Sequence, residues 1–233
     1  MKKIAILQSN YIPWKGYFDI INSVDEFIIY DQMQYTRRDW RNRNIIKTPN
    51  GPLWLTIPVE SKGKFLQKIC DTKVVSGDWA AKHWSTITMC YSKAPYFNDY
   101  KTIFADLYNR AATLTTISEI NYLFLSEICK ILEIKTVLSY DIDYGLTDGK
   151  TERLVNLVKA AGGNYYLSGP AAKDYIVDKV FEESNITLDY MDYSGYPEYP
   201  QLYGEFNGNV SILDLLFMTG SNAHKYMKSF DVD

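Results

Sequence analysis

Short apolar runs alternate with segments of helical periodicity at both ends of this chain, and that alternation constrains the fold more than any other feature. Lys3–Leu7 reads as a buried strand that stops at Gln8. The next segment, Gly16–Ser23 with its flank, places Tyr17, Ile20, Ile21 and Val24 at helical spacing, and Glu26–Tyr30 follows as a second strand. The pattern resumes in the second half: strand Lys135–Ser139, helix Thr151–Ala161 stopped by Gly162 and Gly163, strand Asn164–Leu167, a helix near Ala171–Ile176, and strand Ile186–Tyr190. Strands joined through helices pair in parallel, because the crossover carries the chain back to its starting edge. The expectation is an α/β fold, a mostly parallel sheet with flanking helices.

Two interruptions are expected within it. Asn44–Lys47 and Leu53–Val59 flank an Asn50-Gly51 pair that suits positive φ, so residues 44–60 read as a β-hairpin insertion. Residues 78–132 read as a helical segment divided at Pro95, with Asp78 and Ser118 as caps. Tyr190–Phe206 has no clear period and reads as an ordered aromatic loop. A last helix, Ser211–Met218, opens on Ser211 and Asp214 and ends at Gly220. With no repeat or low-complexity linker, 233 residues at 46% hydrophobic composition read as one domain spanning 1–233.

A formal charge of −3 argues against a general polyanion binder and so against nucleic acid as the partner. Cys70, Cys90 and Cys129 are odd in number and lack metal or disulfide spacing, which makes a reducing cytoplasm the simplest setting. The apolar start ends at Gln8, too early for a signal sequence, and no stretch is long enough for a membrane span. No metal site is expected: Asp141, Asp143 and Asp148 lack the pattern of a calcium loop.

Positive charge is distributed unevenly. Four of the six arginines, Arg37, Arg38, Arg41 and Arg43, fall within seven residues, whereas lysine meets the need elsewhere. The planar guanidinium grips phosphate or carboxylate through two parallel hydrogen bonds, so the block reads as an anion clamp. The alternative is a solvated loop whose arginines pair with Asp39 and Asp31.

Several motifs in order resemble the WbqC-like family. They are Ala5–Asp19, Asp31–Tyr35 with Arg38–Asn44, Trp54–Val59, Lys82-His83, Tyr165–Gly169, Tyr199–Gln201 and Ser211–Leu216, which together run nearly end to end. The resemblance implies a bacterial protein of surface polysaccharide (O-antigen, lipopolysaccharide) biosynthesis that helps to place an acyl or aminoacyl group, such as glycyl, on an amino sugar.

The residues themselves suggest roles. Gln8 closes the first strand, and Asn10, Tyr11, Pro13, Trp14 and Gly16 form the turn into the first helix, where ligands settle in open α/β sheets. The same aromatics equally serve to pack that turn. No dinucleotide fingerprint or P-loop is present, and the paired histidines that nucleotidyltransferases carry at such a turn are absent. Asp31, Gln34 and Tyr35 follow the second strand, so they share an edge with Gln8 if the two strands are parallel. Asp31 would orient a sugar hydroxyl or an arginine, Gln34 and Asn42 would offer amides, and Tyr35 or Trp40 would stack on a ring, with Arg38, Arg41 and Arg43 holding the anion.

His83 is the candidate general base, against a structural role for a lone helical histidine. A direct dyad with Cys90 is excluded, because seven residues along a helix separate backbones by about 10 Å. Ser168 ends a strand and would either cap the next helix or donate to a ligand. Gln201 lies in the aromatic loop, which would cover the crevice. The leading expectation is a transferase that moves an acyl or aminoacyl group onto the amine of a nucleotide-linked amino sugar. It would need no cofactor of its own, and its acyl donor would be a thioester on coenzyme A or a carrier protein. The alternatives are a non-catalytic partner that binds the sugar nucleotide or carrier, and a nucleic-acid-modifying enzyme.

Overall fold

A computed structural model describes residues 1–145 and 147–230. Its centre is a five-stranded parallel sheet of β1 (Lys3–Leu7), β2 (Glu26–Ile29), β5 (Val137–Tyr140), β6 (Tyr165–Ser168) and β7 (Thr187–Tyr190) in the order β5-β2-β1-β6-β7. The chain winds outward from β1 through β2 to β5, then returns to the other side of β1 for β6 and β7. This reversal puts the topological switch point between β1 and β6, where the two following segments leave on opposite faces and open a crevice beyond the carboxyl ends.

Continuous apolar runs suit strands buried on both faces. Ala5, Phe27, Ile29 and Leu167 look toward one core, and Ile4, Ile6, Ile28 and Tyr166 toward the other. The first core is closed by α1 (Lys15–Asn22), by α2 (Trp79–Tyr91), α3 (Phe97–Ala111) and α4 (Ile117–Ile131), and by α7 (Ile212–Thr219). The second is closed by α5 (Thr151–Ala160) and α6 (Asp178–Glu183). The expected α/β class is therefore present, with a sheet that is parallel throughout.

The hairpin is β3 (Arg43–Thr48) paired antiparallel with β4 (Gly51–Thr56), in register from Arg43 opposite Thr56 to Thr48 opposite Gly51. Gly51 takes φ of +104°, which satisfies the tight turn. Three helices fill the middle, split where Pro95 lies. Their capping differs from expectation. Thr116, not Ser118, caps α4: its side chain accepts from the Glu119 amide, while Glu119 reaches back to the Thr116 amide. Asp78 precedes α2 but spends its carboxylate on Lys82, 2.9 Å away. The helix expected near Ala171–Ile176 is a 3-10 turn over Pro170–Asp174, and the α-helix lies further on, at α6.

Candidate functional site at the carboxyl edge of the sheet

β1 and β2 are parallel, pairing Ile4 with Glu26 through Leu7 with Ile29, so Gln8 and Asp31 emerge at the same edge as expected. Asp31 is the knot that fixes them. One carboxylate oxygen accepts from the Ser9 amide at 2.8 Å, and the other accepts from the hydroxyls of Ser9 and Ser118, both at 2.6 Å. Asn121 on α4 then donates to the Ser9 hydroxyl and to the Arg41 carbonyl, each at 2.9 Å. Burial pushes the Asp31 carboxyl upward, while the bonds from Ser118 and Ser9 and the charge of Arg41 pull the other way. At 1% exposure, Asp31 orients the turn and presents no open oxygen in this conformation.

Arg41 turns inward. Its Nη1 donates to the carbonyls of Gln8 at 3.2 Å and Ser9 at 3.3 Å and to Oδ1 of Asn10, and its Nη2 lies 3.6 Å from Asp39. The Gln8 carbonyl also accepts from the Tyr17 hydroxyl at 2.9 Å. Buried amides continue the scaffold: Asn42 donates to the Ile57 carbonyl at 2.7 Å and accepts from the Tyr35 hydroxyl at 3.1 Å, and Asn44 donates to the Tyr11 carbonyl at 3.0 Å. Three buried polar atoms here, Nε of Arg41, Nε of Arg43 and Oδ1 of Asn121, have no protein partner.

Of the other arginines in the block, Arg37 and Arg38 are exposed and Arg43 is half-buried. Arg43 lies 4.1 Å over the Trp54 ring and donates to the Arg38 carbonyl, and Trp54 meets Trp40 at 5.2 Å between centroids. Arg37 donates to the Ser61 carbonyl and sits 5.5 Å over Phe65. Arg38 occupies the left-handed region at φ +59° and is exposed. Among the described residues none of these three pairs with a carboxylate; within the block Arg41 alone does, with Asp39. Gln34 is spent on the Phe65 carbonyl at 2.7 Å.

His83 belongs to a buried chain. Its Nδ1 is 3.0 Å from the Tyr11 hydroxyl, which is 2.7 Å from that of Tyr108. Burial drives the imidazole down to about 4, opposed by a bond to the Thr56 backbone, so it is neutral at pH 7. The neutral ring is held through Nδ1 by the Tyr11 hydroxyl and is 8% exposed. Cys90 is a buried core residue.

Trp14 packs edge-on against Tyr193 and Tyr196 at 5.1 and 5.6 Å. A Cβ on Gly16 would come within 2.4 Å of that indole, so the glycine admits Trp14 itself to the start of α1. The aromatic loop covers this end: Lys15 donates to the Pro197 carbonyl at 2.9 Å beneath the rings of Tyr196 and Tyr199. Gln201 stands apart from Asp31. It donates to Asp214 at 2.7 Å and accepts from Lys47 at 3.0 Å, bracing α7 against β3. Ser168 ends β6 at the switch point, its hydroxyl 3.2 Å from that of Tyr166.

The structure thus gathers Gln8, Asn10, Tyr11, Asp31 and Arg41 around one turn, sets Arg38 and Arg43 on its rim with Trp40 and Trp54, and leaves Gln201 elsewhere. Sequence reasoning missed the roles of Ser9, Ser118 and Asn121 around Asp31, because the contacts that join them are distant in sequence.

No solved structure matches the chain. It is 50% identical over 228 residues, 98% of each chain, to a protein of Mycobacterium tuberculosis (strain ATCC 25618 / H37Rv) named "Uncharacterized protein Rv1507c". Residues 8–226, from the end of β1 to the last 3-10 turn, match the WbqC-like protein family, and the chain belongs to that family.

Proposed function

We propose that this protein is a transferase of bacterial surface polysaccharide (O-antigen) biosynthesis, which moves an acyl or aminoacyl group, such as glycyl, onto the amine of a nucleotide-linked amino sugar. The observation that carries this reading is the pair of outward forks, Arg38 and Arg43, beside Trp40 and Trp54 on a loop that Arg41 clamps to the carboxyl end of β1. Two guanidiniums without carboxylate partners suit a diphosphate, and the Trp40 face, 39% exposed across the residue, suits a base or sugar ring. Asp31 and His83 act in this reading by holding Ser9 and Tyr11 in place. In the transfer the sugar amine attacks the thioester carbonyl, the C–N bond forms as the C–S bond breaks, and the thiolate leaves with the proton released by the amine.

Removal of the forks tests the site. Arg38→Ala with Arg43→Ala should weaken binding of UDP-linked amino sugars about tenfold or more, the scale of lost charge-assisted bonds. Unchanged affinity would refute the clamp. A second reading, a non-catalytic protein that binds the sugar nucleotide or an acyl carrier for a partner enzyme, is favoured by the burial of both Asp31 and His83, at 1% and 8% exposure. Incubation of the purified protein with an acyl thioester and the sugar nucleotide separates the two: turnover supports the transferase, and binding without turnover supports the second reading.

A further inference from the structure

The arginine-rich loop is not the only place where a guanidinium meets the carboxyl edge. α5 starts at that edge, and its Arg153 is half-buried on the face of the sheet opposite α1. Arg153 donates through Nε to the Thr147 carbonyl at 2.7 Å and through Nη1 to the thioether of Met33 at 3.4 Å. A thioether is a weak acceptor, and no carboxylate pairs with this fork among the described residues. A half-buried arginine held by one carbonyl, one sulfur and the neighbouring Tyr30 hydroxyl, with no carboxylate, retains the capacity to grip an anion through two parallel bonds.

Tyr30, directly after β2, lies within hydrogen-bonding reach of Arg153 and feels its charge, and Tyr175 is within electrostatic range of Tyr30. Tyr166 is in range of Tyr30, Tyr175 and Tyr190, and its hydroxyl meets Ser168 at the end of β6. Tyr30 and Ser168 therefore stand on the two strands that flank β1, across the switch point where an open α/β sheet receives its ligand. Space is left there: Tyr175 is 55% exposed, and a Cβ on Gly169 would meet nothing within 4 Å. Asp141 is in range of Tyr30 too, but it is 1% exposed and accepts from the Gln32 amide at 3.0 Å.

We propose that Arg153, with the hydroxyls of Tyr30 and Tyr175, forms a second anion subsite at the carboxyl edge of the sheet, on the opposite face from the arginine-rich loop, and that it takes a phosphoryl group. A phosphoryl oxygen cluster uses both the fork and several hydroxyl donors, which a single carboxylate does not. The subsite stands independently of the transferase reading. If that reading also holds, two anion sites suit a reaction with two phosphorylated substrates, the sugar nucleotide on one and a phosphate-bearing acyl donor on the other.

The test is calorimetric titration of the full chain with inorganic pyrophosphate in an Arg38→Ala, Arg43→Ala background, so that the loop does not contribute. This protein should bind, and adding Arg153→Gln should lower the affinity at least tenfold. Arg153→Lys should recover part of it, with thermal melting to show that each variant is folded. Failure of the background protein to bind, or affinity within twofold after Arg153→Gln, would overturn the subsite. Because the probe is pyrophosphate and the readout is binding, an absence of acyl transfer would refute the transferase reading without touching this one.

Discussion

Nη1 of Arg41 donates to the main-chain carbonyl of Gln8 at 3.2 Å, which joins the arginine-rich loop to the last turn of chain after β1. The same nitrogen reaches Ser9 and Asn10, and the Asn121 amide returns to the Arg41 carbonyl. One arginine of the block is therefore a fastener, and its neighbours gain a fixed position from it. Arg41→Ala should destabilise the fold by about 2 kcal/mol in urea denaturation, the scale for a hydrogen-bonded charge at a partly buried site. A change below about 0.5 kcal/mol would mean that Arg41 is an ordinary surface arginine.

The turn at Trp14 has a separate requirement. Gly16→Ala places a methyl where the indole of Trp14 lies, 2.4 Å away, so the indole must leave its contacts with Tyr193 and Tyr196. Overpacking of this kind costs about 1–3 kcal/mol. Limited proteolysis should show faster cleavage in 190–206 for the variant, because the aromatic loop loses the ring on which it rests; an unchanged cleavage pattern would contradict that anchoring role.

How much of this was legible in the sequence depends on the length scale of the signal. The helix-strand alternation gave the sheet, since buried parallel strands such as Phe27–Ile29 are apolar on both faces and local pattern alone reports that. The Asn50-Gly51 turn was likewise local. Serine favours cap positions, yet Ser118 lies inside α4 with its hydroxyl on Asp31, 87 residues away in sequence. The inward turn of Arg41 and the outward turn of Arg43 have the same cause: both are arginines in one block, and only the tertiary contact with β1 separates them. Arg153 stayed unread because an isolated arginine on a helix carries no local signal for the edge that it reaches.

His83 should give the protein an acid-sensitive stability. Its folded pKa, about 4, lies below the ordinary 6.5, so the unfolded chain takes up the proton first. Stability from this group is present above pH 6.5 and is lost as pH falls toward 4, with about 2 kcal/mol lost between pH 7 and 5. His83→Gln removes the titration. Its denaturation free energy, compared with that of the parent at both pH values, should show a penalty that shrinks on the acid side; a penalty independent of pH would mean that His83 titrates normally.

Asp141 works in the opposite sense over the same range. Burial first, then the nearby charge of Asp31, raise its carboxyl to about 6, while amide hydrogen bonds from Gln32 and Ile142 and the charge of Lys68 oppose the rise. The folded state now holds the proton more tightly than the unfolded chain, whose carboxyl titrates near 3.8. The favourable contribution is complete below pH 4 and disappears as pH rises through 6, a change of about 1 kcal/mol between pH 5 and 7. In the parent protein this gain on acidification offsets part of the loss from His83. Asp141→Asn keeps an oxygen for the Gln32 amide and never carries charge, so it should be more stable than the parent at pH 7. It should also lose stability more steeply toward pH 5, because the His83 term is then uncompensated. Parallel stability curves for parent and variant across pH 4–7 would show that Asp141 is not perturbed, and that the carboxyl edge tolerates two ionised aspartates, Asp31 and Asp141, side by side.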